Sequence, residues 1–155
     1  IWVRSEANTP GYFNSDAETK QAITDDGWLK TGDGAVMDEE GFIYLKDRIK
    51  DMIITGGENV YPAEVENLIS RVSGVSQVAV IGLPDQKWGE AVTAVIVAEK
   101  PGEDLSEVVV NFTRERLAHY KCPSSVVFID EMPRNASGKI LKNILRQRFA
   151  PTVAP

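Results

Sequence analysis

The sequence predicts an α+β fold: a small domain with a short β-hairpin and a three-stranded sheet packed by helices, preceded by a strand-rich segment. Three observations carry this. Residues 1–49 read as short strands joined by turns, with too few apolar positions for a core of their own. From residue 50 onward, strand-like runs alternate with runs of helical period. Between them, residues 45–66 hold the charges Lys46, Asp47, Arg48, Lys50 and Asp51, the apolar run Met52-Ile53-Ile54, a Thr55-Gly56-Gly57 turn and a helix start at Pro62.

The elements follow in order. Residues 1–4 begin a short strand, and Asn8-Thr9-Pro10-Gly11 carries turn chemistry. Ser15 or Asp16 caps a short helix through Ile23 that has little apolar face. Trp28-Leu29-Lys30 is a second short strand. Ala35-Val36-Met37 and Phe42-Ile43-Tyr44-Leu45 flank an acidic turn ending in Gly41, which predicts a hairpin. In the second part, Pro62 suits the first helical position. Val65, Leu68, Ile69 and Val72 fall on one helical face, and Gly74 ends the helix. Strands over 75–83 and 91–98 flank a loop at 84–90, and Pro101-Gly102 turns the chain. A helix capped by Asp104 or Ser106 runs to about His119, with Leu105, Val109, Phe112 and Leu117 on one side. A third strand covers 126–129. A loop at 130–138 leads to a last helix with the stripe Ile140, Leu141, Ile144, Leu145 and Phe149. Residues 151–155, with two prolines, are expected to be disordered.

Composition excludes several classes. A length of 155 residues allows one domain, or one plus a piece of another. The chain starts at Ile1 inside a strand-like run, so it is expected to be the tail of a longer protein. The net charge of −6 argues against wholesale nucleic-acid binding. Its distribution is uneven: residues 51–110 hold 3 basic and 10 acidic side chains, residues 111–155 hold 8 and 3. The basic end either meets an anionic ligand or forms a solvated helix face. No run approaches the ~18 apolar residues of a membrane span, and no signal-like segment is present. One cysteine, Cys122, excludes an internal disulfide and a CxxC metal site and suits a reducing compartment, so a cytoplasmic location is expected. His119 has no second imidazole or thiol at ligand spacing, so no metal site is expected. His119 and Cys122 both read as packing residues. Asn111-Phe112-Thr113 and Asn135-Ala136-Ser137 match the glycosylation pattern but lack a secretion signal.

A few polar residues offer chemistry. Thr55-Gly56-Gly57 is not a phosphate-binding P-loop, since no Lys-Ser or Lys-Thr follows it. It is a turn, or a place where bare backbone approaches a ligand. Asp33, in Gly32-Asp33-Gly34, is a turn aspartate or an acceptor for both hydroxyls of a ribose. Arg48 forms an ion pair with Asp47 or Asp51, or presents a fork of donors to ribose or phosphate. Lys139 follows Pro133-Arg134-Asn135-Ala136-Ser137-Gly138, where Ser137 is placed to cap the next helix. A lysine at a helix start opposes the macrodipole. It is either solvated or delivers an ammonium to a developing negative charge.

Together and in order, these pieces resemble the acyl-adenylate-forming enzymes: acyl-CoA synthetases, luciferases and peptide-synthetase adenylation domains. The carriers are Gly11-Tyr12-Phe13-Asn14, residues 27–33 (GWLKTGD), residues 47–51 (DRIKD), residues 56–66 (GGENVYPAEVE) and Pro133-Arg134 with Gly138-Lys139. The resemblance covers residues 1–150. It implies an enzyme that joins a carboxylic acid to AMP, then rotates a small C-terminal domain so that a thiol attacks the acyl-adenylate. ATP with Mg2+ and CoA would be substrates, with none held tightly by this portion alone. Asp33 would bind the ribose and Arg48 support it; Lys50 would be the hinge. Lys139 would act in adenylation, and Thr55, Gly56, Gly57, Glu58 and Asn59 would line the pantetheine path. The 56–66 text looks more like CoA ligases than peptide synthetases.

The family's Ser/Thr/Gly-rich phosphate loop and carboxylate pocket are absent from this sequence. Residues 1–49 are therefore expected to be the tail of the large N-terminal domain, and 50–150 the mobile C-terminal domain, inactive alone. The exposed strands of 1–49 would pair with another copy or be disordered. Two alternatives stay open: a stand-alone binding module of this fold, and a peptide-synthetase or luciferase-type relative with another acceptor.

Overall fold

A computed structural model describes residues 1–100, 102 and 104–150. Pro101 of the expected turn and the tail at 151–155 lie outside the described residues. The chain divides into two compact units, one ending at Lys50 and the other starting at Asp51.

In the first unit, β1 (Trp2–Val3) pairs antiparallel with β2 (Leu29–Lys30). The helix α1 (Asp16–Ala22) starts where expected, but the Ser15 side chain makes no cap bond. Strands β3 (Asp33–Met37) and β4 (Ile43–Arg48) form the expected hairpin. Its turn is tied by Asp38, whose Oδ1 accepts from the backbone N–H of Glu40 and Phe42 and whose Oδ2 accepts from the Tyr44 hydroxyl. No residue of this unit is buried. Short strands with turn-rich connections leave too little apolar surface to enclose anything.

The second unit has β5 (Ile53–Thr55), β6 (Glu58–Val60), α2 (Pro62–Ile69), β7 (Val75–Asp85), β8 (Gly89–Ala98), α3 (Ser106–Arg114), β9 (Ser125–Phe128) and α4 (Lys142–Phe149). The three expected strands β7, β8 and β9 make one sheet, with β9 parallel to β8 because the chain crosses over through α3. The β5–β6 hairpin does not stand apart. Thr55 pairs with Gly89, and the sheet becomes five-stranded.

Helices cover both faces of this sheet, which explains why β7 and β8 are apolar at nearly every position. Val80 and Ile96 face a cluster with Ile53, Val65, Ile69 and Val109. Their neighbours Ala79, Ile81 and Val95 face a second cluster with Ile129, Met132 and Leu145. Glu66 and Lys142 join the two layers at 2.7 Å, and the same Glu66 oxygen accepts from the Val80 N–H.

Several boundaries differ from expectation. Helix α2 stops at Ile69, well before Gly74, and Val72 follows it in a turn. The loop at 84–90 shrinks to residues 86–88, because Asp85 Oδ1 accepts from the N–H groups of Lys87 and Trp88 and closes the turn early. Helix α3 stops at Arg114 instead of near His119. Ala118 is extended (φ −57°, ψ 142°), and His119–Lys121 form a separate 3-10 turn. At its start, Asp104 Oδ1 accepts from the Ser106 N–H. The last helix begins at Lys142, so Lys139 is not at a helix start and Ser137 does not cap one.

Candidate functional site

The expected site residues fall into separate places, each described within its own unit. In the first unit, Asp33 and Arg48 stand directly opposite each other on β3 and β4. Arg48 Nη1 lies 3.0 Å from Asp33 Oδ1 and donates to the Thr31 carbonyl at 2.7 Å. Thr31 Oγ1 in turn accepts from the Asp33 N–H. Asp51, one of the two ion-pair partners expected for Arg48, takes Arg146 Nη2 at 3.0 Å through Oδ1. Asp33 is thus oriented through one carboxylate oxygen. Its side chain is 32% exposed, and the second oxygen has no partner among the described residues. That is the geometry of a held acceptor.

Lys50 lies in a 3-10 turn, Ile49–Asp51, and is exposed. The boundary between the two units falls immediately after it. Asp51, the first residue of the second unit, is fixed to α4 by Arg146.

In the second unit, Gly56 and Gly57 form the two-residue connection of the β5–β6 hairpin, with φ +59° and +85°. Two consecutive positive φ values match the right-handed strand twist and are easy only for residues such as Gly. The Gly56 N–H donates to the Trp88 carbonyl at 2.8 Å. A Cβ on Gly56 would sit 3.0 Å from Trp88 Cε3. The turn borders a pocket of about 380 Å³. Thr55, Gly56 and Glu58 line one part; Gly57 and Asn59 do not line it. Trp88, Arg114, His119 and Tyr120 line the rest, with buried Cys122 at the base.

His119 is therefore not a packing residue: it is exposed at this pocket. Trp88, Arg114 and Tyr120 were not singled out from sequence. Trp88 carried a signal, since a tryptophan between Lys87 and Gly89 in a turn has no core to serve. It is 50% exposed, and Lys87 Nζ rides 4.4 Å above its ring. Between the lining residues Tyr120 and Cys122, Lys121 is tied to α2: its Nζ donates to both Glu64 oxygens at 2.8 Å. That hydrogen bond, ahead of a smaller opposing effect of burial, raises the Lys121 pKa above its ordinary value.

Lys139 sits at the end of a closed loop. Arg134 and Ile140 bridge its base, and the Leu141 N–H donates to the Pro133 carbonyl. Asn135 Oδ1 accepts from Ser137 N–H, Ser137 Oγ and the Lys139 N–H at 2.8–3.1 Å. The Asn135 N–H donates back to the Lys139 carbonyl. The loop stands on buried Met132. Lys139 is exposed, and its ammonium has no hydrogen bond or ion pair among the described residues. A rigid backbone thus presents an unspent cation. Among the described residues no cluster of His, Cys, Asp and Glu is placed to hold a metal ion, and no helix is long and apolar enough to cross a membrane.

Known proteins share this sequence pattern and fold. Residues 64–139 match the family model for the AMP-binding enzyme C-terminal domain. The chain is 50% identical over 153 residues to the long-chain-fatty-acid–CoA ligase FadD13 of Mycobacterium tuberculosis, a match covering 99% of this chain and 30% of that protein. The o-succinylbenzoate CoA synthetase of Bacillus subtilis, solved with its acyl-adenylate intermediate, superposes with a TM-score of 0.84 at 41% identity. That match covers 94% of this chain and 29% of the synthetase. The amide bond synthetase McbA of Marinactinospora thermotolerans gives a TM-score of 0.83 at 35% identity, over 97% of this chain and 30% of that one. The chain thus spans about 30% of the length of these relatives. The chain belongs to the acyl-adenylate-forming enzyme superfamily and carries its AMP-binding enzyme C-terminal domain.

Proposed function

We propose that this chain is the C-terminal part of an ATP-dependent carboxylate–CoA ligase working in two steps at one centre, in the cytoplasm. In the first step a carboxylate oxygen attacks the α-phosphorus of ATP, bound as its Mg2+ complex, and pyrophosphate leaves. Asp33, oriented by Arg48, accepts the ribose hydroxyls, and Lys139 stabilises the charge that builds on the reacting oxygens. In the second step the CoA sulfur attacks the acyl carbon, its proton goes to base, and AMP leaves. The Thr55–Gly56 turn and the pocket behind it receive the acceptor. Lys50 is the pivot between the two arrangements.

One observation carries this reading. The Lys139 loop and the Gly56 turn lie at opposite ends of the same β-ladder. Arg134, at the loop base, bonds Gln77, which pairs with Val97 near one end; Gly56 bonds Trp88, beside Gly89, which pairs with Asp85 at the other. Eight residues of strand separate Gln77 from Asp85, about 26 Å at ~3.3 Å per residue. No single reacting centre touches both ends at once. Two steps that each need one end call for a moving domain.

Pyrophosphate exchange by the full-length protein against a panel of carboxylates, with and without CoA, tests this. Exchange without CoA, and thioester only with it, is the expected result. No exchange with any carboxylate counts for a non-catalytic binding module. A second reading rests on the likeness to the amide bond synthetase: exchange would persist, but an amine would replace CoA as acceptor. The chain alone is expected to be inactive and to bind ATP weakly, which calorimetry checks. The exposed apolar residues of β3 and β4, Met37, Ile43 and Leu45 among them, are the proposed surface for self-association of the isolated chain, to be read by light scattering.

A further inference from the structure

Arg134 is exposed, yet both terminal nitrogens of its guanidinium are engaged. Nη1 donates to the Gly138 carbonyl at 2.5 Å, and Nη2 donates to Gln77 Oε1 at 2.7 Å. Gly138 is the residue before Lys139 and has φ +82°, with open space where a Cβ would stand. No side chain packs at Gly138 itself, so packing does not hold that residue. Asn135 fixes the shape of the loop from within, through its bonds to Ser137 and Lys139. Those bonds say nothing about where the loop points. The Arg134 fork joins the carbonyl that precedes Lys139 to a side chain on β7, whose neighbours Ala79 and Ile81 are buried. Gln77 follows an irregularity in the β7–β8 register between Val75 and Gln77, the kind of feature that re-aims a side chain.

From this geometry we infer that Arg134 and Gln77 are positioning residues for Lys139. The pair indexes the lysine loop to the sheet, so that the ammonium arrives at the same place each time the domain swings into the adenylation arrangement. The inference rests on the adenylation role proposed for Lys139. A planar guanidinium spans two acceptors in fixed directions; an ammonium on a flexible stem does not reproduce both. Misplacing a charge-stabilising group by about 1 Å costs on the order of a hundredfold. A partial loss of tethering is expected to cost about tenfold, all of it in adenylation.

The test uses the full-length enzyme and measures pyrophosphate exchange and thioester formation from supplied acyl-adenylate separately. Gln77→Ala keeps the charge of Arg134 and removes only its anchor. It is expected to lower kcat for exchange about tenfold with KM for ATP little changed, and to leave the thioester step within about twofold. Gln77→Glu retains an acceptor for the guanidinium and is expected to restore the rate. Arg134→Ala in the wild-type background should match or exceed the loss of Gln77→Ala. In a Lys139→Ala background Arg134→Ala should add nothing, because it acts through the lysine. If Gln77→Ala is silent while Arg134→Ala is impaired, Arg134 acts in some other way and the inference is overturned. Equal loss of both half-reactions also overturns it, as general damage to the fold. If Lys139→Ala itself retains exchange, the adenylation role fails first, and the positioning role with it.

Discussion

The Lys139 loop and the Gly56-Gly57 turn sit on one sheet and are built on opposite principles. The loop is a web of polar bonds around Asn135 and Arg134, and it presents a charge with no partner among the described residues. The turn has almost no side chain, joins the Trp88 carbonyl through the Gly56 N–H, and presents bare backbone beside a pocket. A group that must meet developing charge has to be held from all sides except the working one. A wall that a narrow chain must pass has to be thin. On the proposed function, the difference teaches how one small domain serves two steps by carrying two unlike tools, with only one facing the centre at a time.

The largest expected effect separates the tools directly. Lys139→Ala in the full-length enzyme should reduce pyrophosphate exchange by on the order of 10²–10³ while thioester formation from supplied acyl-adenylate largely survives. Equal loss in both assays would erase the contrast. Lys50→Pro comes next. Fixing φ at the pivot should hold the domain in one arrangement, so that one half-reaction falls by on the order of tenfold or more and the other persists. Both persisting unchanged would remove Lys50 as the pivot. Gly56→Val is the converse of the lysine change: a side chain at φ +59° and 3.0 Å from Trp88 should cost roughly tenfold in the thioester step and spare exchange. Gly57→Ala is the control. It carries similar backbone strain, but nothing lies within 4 Å of its new Cβ, so a smaller loss is expected.

The smallest effect concerns the tie between Lys121 and Glu64. The Glu64 hydrogen bond raises the Lys121 pKa in the folded state. A raised lysine stabilises fully below its ordinary range and loses that contribution as pH climbs through the folded value. Lys121→Met should therefore cost up to about 1 kcal/mol near neutral pH, with the gap closing above pH of about 10.5. Thermal unfolding of both variants at neutral and strongly alkaline pH reads this. A gap that widens with pH would reverse the sign and refute the tie.

Much of the fold was legible because helix and strand periods are local. Val65 and Ile69 announced the buried face of α2, and both are in the first core cluster, with Val72 added from the turn that follows the helix. Turn chemistry was legible at Gly41 and Gly56-Gly57, where positive φ demands Gly. Ends of elements were harder, because a side chain closing a turn overrides the apolar pattern: Asp85 lengthened β7, and Asn135 kept Lys139 out of the last helix. The pocket was legible only at its Thr55-Gly56 edge. That turn, Trp88 and the 114–120 stretch are far apart in sequence, and only pairing of β5 with β8 and the return of the chain after α3 bring them together.

The sequence by itself determined the fold class and the break near Lys50. These follow from periodicity, turn residues and motif order, which are properties of neighbours along the chain. Only the tertiary structure decided that Arg48 pairs with Asp33, that the hairpin joins the sheet, that Arg134 reaches Gln77, and that Lys139 and Gly56 hang from opposite ends of one ladder. These depend on which strands pair and in what register. Register is set by burial on both faces of the sheet together, and no local stretch encodes it.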